Sequence, residues 1–139
     1  MEQKNIHTQE IAVGNKRLLQ SATILCVLIT LAYILEVIKG ARTLGYTLAV
    51  IVLALGPQIA GWIVYKGNNA SDAVKHIVAI GYAVMYCFVL FTTTNILVFT
   101  YVIPMLVILT LFDDKQYITI IGVGVVVVNI ISIIIYATD

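Results

Sequence analysis

Apolar positions come in long runs separated by short polar breaks, and neither the period of two nor that of an amphipathic surface helix dominates. After a polar opening stretch at residues 1–17, the first run covers 18–38 and contains one ionisable group, Glu36. At 1.5 Å per residue it is about 31 Å long as a helix, enough to cross a hydrocarbon core of about 30 Å. The polar link Lys39-Gly40-Ala41-Arg42-Thr43 leads to a second run at 44–65, with Pro57 inside it and Trp62 and Tyr65 near its end, where an interfacial aromatic belt sits. The most loop-like segment, Lys66-Gly67-Asn68-Asn69-Ala70-Ser71-Asp72, follows. Ser71 or Asn69 is the expected cap of the next helix, with Asp72 in its first turn.

From Ile77 to Phe112 no residue is charged. That length is too great for one span and suits two, so a tight hairpin is expected at Thr92-Thr93-Thr94-Asn95, between spans at 76–92 and 96–112. A single bent span is the alternative, and it would move the C-terminus to the other side. After Asp113-Asp114-Lys115 the last run covers 117–136, with a tyrosine near each end. It is rich in β-branched residues, but in lipid the backbone must satisfy its own hydrogen bonds, which selects helix. The alternation of a membrane barrel strand is absent. The predicted fold is therefore all-α: a polar cytoplasmic leader at 1–17 and a polytopic transmembrane helix bundle at 18–139, with about five spans.

Composition strengthens that reading. The chain has 139 residues, of which 61% are hydrophobic and 11% charged, and its mean hydropathy is +1.04. A soluble domain carries roughly a quarter charged residues, so lipid is the expected solvent and the bilayer the first partner. A net charge of +1 without a basic run excludes a nucleic-acid partner. Cys26 and Cys87 lie in apolar runs and read as buried packing thiols. The first run lacks a small-residue cleavage site and reads as a retained helix. Asn69-Ala70-Ser71 matches a glycosylation triplet but falls on the expected cytoplasmic side.

Lysine and arginine placement gives the orientation. Lys4, Lys16, Arg17, Lys66, Lys75 and Lys115 fall on the leader's side of a five-span chain, against Lys39 and Arg42 on the other. The positive-inside rule puts the N-terminus in the cytoplasm and Asp139 outside.

Catalytic signatures are missing: there is no HExxH, GxSxG, P-loop or dinucleotide fingerprint. No enzyme, cofactor or metal site is expected, and His7 and His76 read as leader and interfacial side chains. Glu36 is the one acid within an apolar run. An intramembrane carboxylate is a functional candidate by default, although Lys39 at i+3 and Arg42 in the link also fit an interfacial ion pair. The candidate ligand-binding residues are Glu36, Arg42, Tyr33, Tyr86, Gln58 and Asn129. Gln58, beside Pro57, suits either a freed carbonyl or a cavity wall, and Asn129 reads first as an interhelical hydrogen-bond clamp. Pro57 and Pro104 are candidate hinges, since each removes a helical donor. Tyr82 and Tyr86 share a face, and Ala79 and Ala83 offer a small-xxx-small approach; a packed seam accounts for all four.

Leu35 to Thr43, Ile77 to Tyr82, Phe88 to Thr92 and Tyr101 to Leu106 resemble the membrane region of bacterial methyl-accepting chemotaxis receptors. The type is that of clostridia and related Firmicutes, in which several helices replace a periplasmic sensor domain. The resemblance spans nearly the whole chain and implies a membrane-embedded sensory input module in the bacterial cytoplasmic membrane, a dimer or higher homo-oligomer in its full-length context. It also implies a cytoplasmic signalling region, absent here, so that the chain reads as an N-terminal piece unable to signal alone. A small transporter or channel subunit, or a membrane scaffold, is the competing reading.

Overall fold

The structure of the protein, a computed structural model, describes residues 2–93, 96–110 and 115–138. Every element in it is helical: α1 (Glu2–Ile38), α2 (Leu44–Gly67), α3 (Ala73–Thr92), a 3₁₀ run (Ile96–Tyr101), α4 (Val102–Leu109) and α5 (Lys115–Thr138). α1, α2, α3 and α5 are each long and apolar enough to cross a bilayer. The chain is thus an all-α bundle compatible with a membrane.

The helix ends follow from local chemistry. α1 closes because Gly40 takes φ +72°, a left-handed conformation that suits glycine. The amides of Gly40 and Ala41 then fold back onto the carbonyls of Val37 and Glu36, both at 2.9 Å. Thr43 caps α2, its side chain accepting from the Tyr46 amide at 3.4 Å. At α3 the expected roles change places. Asp72 is itself the cap residue without a capping bond, Ser71 Oγ accepts from the Ala73 amide, and Asp72 pairs with Lys75 at 3.5 Å.

α1 differs from expectation at its start. The polar leader is no separate segment; it is helical from Glu2 and runs unbroken into the span, because the helix satisfies its own backbone bonds on either side of the interface. The fourth segment differs too. It is helical, but six 3₁₀ residues precede an α-helix of eight, about 24 Å in all. Pro104 is the third residue of α4, just past the junction where the 3₁₀ run passes into α-helix. Residues 94–95 of the predicted hairpin and 111–114 of the next turn lie outside the described residues.

Cross-helix contacts set the directions. Trp62 Nε1 donates to Thr23 Oγ1, and the rings of Tyr33 and Tyr46 meet, so α2 runs antiparallel to α1. Tyr46 bonds Thr92, which makes α3 antiparallel to α2. Tyr117, Asn129 and Tyr136 of α5 meet Lys75, Tyr86 and Leu90 of α3 in ascending order. α5 is therefore parallel to α3, and the chain between them must return across the bundle. That parity is the one the two-span reading of 77–112 requires. α1, α3 and α5 all end at the same end of the bundle.

The core lies between α1, α2 and α3: Leu18, Leu19, Ala22 and Cys26 face Val50 and Ala54, and Val74, Val78, Met85 and Val89. α3 presents Ala79, Tyr82 and Tyr86 inward, but Ala83 is exposed. The close approach falls instead at Gly81, against Pro57 of α2. α5 stands apart, with 6% of its apolar window buried. Its Ile120, Val123, Val126, Ile130 and Ile133 face outward, which is what lipid, and not water, tolerates.

Candidate functional site

Where α1 ends and α2 begins, five helical segments bring polar and aromatic groups together. Arg42 is at the centre. Its Nε donates to Glu36 Oε2 at 3.3 Å, its Nη2 donates to Thr93 Oγ1, and its guanidinium carbon stands 4.9 Å from the centroid of the Tyr46 ring. Tyr46 in turn stacks on Phe88, with centroids 5.6 Å apart, and meets Tyr33 at 6.1 Å. Tyr101 lies within electrostatic range of Glu36, Tyr33, Tyr46 and Arg42.

The sequence explains the assembly. Glu36 is in the last turn of α1, and the Gly40 turn carries the link back over it. Arg42 lies just before Thr43, the α2 cap, so its side chain reaches both helices. Thr93 is the C-cap of α3. Its carbonyl accepts from the hydroxyl of Tyr136 on α5 at 3.2 Å, and Leu90 O from the same hydroxyl at 3.4 Å. A continuous polar path therefore leads from Glu36 through Arg42 and Thr93 to the end of α5.

Three of the predicted site residues, Glu36, Arg42 and Tyr33, meet here, and the remainder do not. The ion pair of Glu36 is made with Arg42 from the link, while Lys39 at i+3 is exposed. Tyr86 and Asn129 form a pair of their own. The Tyr86 hydroxyl donates to Asn129 Oδ1 at 2.9 Å, and Asn129 Nδ2 donates to Val125 O at 2.8 Å within α5. That is the interhelical clamp. Tyr86→Phe is expected to weaken the attachment of α5 by about 1 kcal/mol, as membrane-embedded hydrogen bonds commonly do. Unfolding measured in bicelles with a matched Asn129→Ala cycle checks this; additive single effects would mean no coupling.

Gln58 is 2% exposed, and its carboxamide lies beside the Cys26 thiol without a hydrogen bond of ordinary geometry. It does not satisfy the carbonyl that Pro57 frees. Pro57, in the interior of α2, is wedged against Gly81 of α3.

Five members of the cluster are not among the candidate site residues read from sequence: Tyr46, Phe88, Thr93, Tyr101 and Tyr136. Their signals were present in weak form. Tyr46 follows Arg42 by four residues, Thr93 sits in the polar break, and Tyr136 marks the end of the last run.

A second polar-aromatic contact closes the other end. The Lys75 ammonium stands 5.5 Å from the centroid of the Tyr117 ring, whose edge meets His76, and Tyr117 OH donates to Lys75 O. It fastens the start of α5 to the start of α3. Among the described residues no three His, Cys, Asp or Glu side chains stand close enough to share a metal ion.

No protein family, no curated protein and no solved structure matches this chain.

Proposed function

We propose that the chain is a membrane-embedded sensory input module, with its leader in the cytoplasm of a bacterium and the Arg42 cluster at the outer face. The polar path from Glu36 to Tyr136 supports the reading. It joins the only charged link between the first two spans to the helix least held by the core, so a disturbance at Arg42 has a physical route to α5. α5 has few buried neighbours, and its position is fixed by discrete polar contacts at both ends and the middle. Contacts this few and this separable let a stimulus that prefers another arrangement of α5 shift it. The likeness of Leu35 to Thr43 and of Tyr101 to Leu106 to the membrane region of chemotaxis receptors points to the same role.

One observation favours a transporter or channel subunit instead: the buried carboxamide of Gln58 in the middle of α2, beside the Cys26 thiol and without a hydrogen bond of ordinary geometry. The other mid-span amide, Asn129, is fully occupied by its clamp, and transport commonly needs ionisable groups at that depth.

Nitroxide labels at Leu48 and Ile133, both exposed, measure the position of α5 against α2 in the full chain with Cys26 and Cys87 replaced by alanine. Arg42→Ala is expected to shift and broaden the distance distribution, and Glu36→Gln to do so less. Unchanged distributions in both variants overturn the sensory reading. Solute flux through reconstituted vesicles, lost on Gln58→Leu, would replace it with transport.

A further inference from the structure

The surroundings of Arg42 are those of a bound cation. A carboxylate, Glu36, neutralises it from one side, and the face of Tyr46, backed by Phe88 and flanked by Tyr33, forms a wall on another. Thr93 adds a hydroxyl acceptor. Carboxylate plus ring face is the chemistry that selects a weakly hydrated organic cation over sodium or potassium, whose hydration shells resist the exchange.

Two features make the site accessible. The side chains of Glu36 and Arg42 are 38% and 24% exposed, at the ends of the α1 and α2 spans, so neither is sealed by the bundle. Arg42 also belongs to the link and not to a helix. The backbone of that link is fixed by the Gly40 and Ala41 amides, so the long side chain can leave by changing rotamers while the fold stays in place.

We propose that Glu36, Tyr46, Tyr33 and Phe88 form a binding site for small organic monocations, guanidinium or quaternary ammonium compounds, with Arg42 as its built-in competitor. An arriving cation takes the carboxylate and the ring face, and Arg42 is released into solvent. Release breaks the Arg42–Thr93 bond, the step of the polar path that precedes α5. As a statement about the stimulus the inference rests on the sensory reading above; as a statement about binding it stands alone.

The test uses the full chain in nanodiscs, titrated calorimetrically with methylguanidinium chloride and with tetramethylammonium chloride against sodium chloride of equal ionic strength. Arg42→Ala removes the competitor and is expected to bind methylguanidinium at least about tenfold more tightly than the unmodified chain does, since an occupied site taxes every other ligand. Adding Glu36→Gln or Tyr46→Leu to Arg42→Ala should abolish the gain. Binding of methylguanidinium without tetramethylammonium keeps the site and assigns it to planar N–H donors. Equal affinity in the unmodified chain and Arg42→Ala, or a gain that survives loss of Glu36 and Tyr46, overturns the proposal. If Arg42→Ala does not fold, Arg42→Gln, which keeps a polar stem, carries the same comparison. Spin labels at Leu48 and Ile133 separate the two claims: cation binding without movement of α5 removes the sensory role and keeps the site, and movement without binding does the reverse.

Discussion

Gly81→Val is expected to destabilise the bundle by about 3 kcal/mol, at the upper end of what overpacking of a tight contact costs. A Cβ at position 81 would overlap the Pro57 ring. The ring cannot swing away, because it is closed on its own backbone inside α2, so α2 and α3 would have to separate. In lipid that separation is costly, since helix association there depends on close packing and not on hydrophobic exclusion. Gly61 makes the control. A Cβ there would lie 2.8 Å from Leu19 Cδ2 and 3.3 Å from Val78 Cγ2, both ends of side chains. Leu19 can change rotamer, and replacing glycine by alanine in a helix returns about 1 kcal/mol, so Gly61→Ala should be close to neutral. A double cycle with Pro57→Ala completes the argument, because removing the ring makes room and should recover most of the loss at position 81. Unfolding by steric trapping or by SDS in bicelles measures all of these. A stable Gly81→Val, or the same loss with and without Pro57, would show that the contact does not hold the two helices.

That contact also shows where sequence reasoning stops. The pattern of apolar runs was sufficient for the segments: spans expected at 44–65, 76–92 and 117–136 appear as 44–67, 73–92 and 115–138. Hydropathy measures solvent preference, and in a bilayer that preference nearly dictates helix. It says little about which face of a helix meets which neighbour, because lipid and a protein interior are equally apolar. Hence Ala79 and Ala83 suggested a small-residue seam, whereas Ala83 faces outward and Gly81 makes the approach. The same blindness hid the break at 96–101, whose residues are as apolar as those of any span.

The cluster was half legible for a similar reason. Glu36 and Arg42 are conspicuous as charges beside an apolar run, and their pairing follows from six residues of separation across a glycine turn. Tyr46, Phe88 and Thr93 come from two other helix ends, and only the antiparallel order of α1, α2 and α3 brings them over the guanidinium. Gln58 and Asn129 look alike in sequence, as lone amides in apolar runs. Asn129 clamps Tyr86, whereas Gln58 meets the Cys26 thiol without a hydrogen bond of ordinary geometry, a difference set by what stands opposite them.

Asn15 carries no signal of its own in the sequence, being one polar residue in a polar leader, and its substitution is expected to have the second large effect. It is fully buried, and its Nδ2 donates to the carbonyls of Asn69 at 2.8 Å and Ser71 at 3.0 Å. One side chain on α1 therefore holds the link between α2 and α3. Asn15→Ala removes both bonds, leaving the Ser71 carbonyl with the Val74 amide at 3.3 Å and the Asn69 carbonyl without the Asn15 donor, and should cost about 2 kcal/mol. Asn15→Asp keeps the size but sets a carboxylate against two carbonyl oxygens, and should cost about 3 kcal/mol or more, since the repulsion adds to the lost bonds. The same two variants should raise the rate at which a protease cuts the 67–72 link in nanodiscs, where the membrane protects the spans. Leu18, Leu19 and Ala22, which follow Asn15 on the buried side of α1, continue the contact into the core. Loosening the link should accordingly leave the Glu36–Arg42 end unchanged, about 30 Å away along a span of this length. If Asn15→Asp is as stable as Asn15→Ala, the amide is not donating to both carbonyls. If both match the unmodified chain, the leader helix merely lies beside the bundle and does not anchor it.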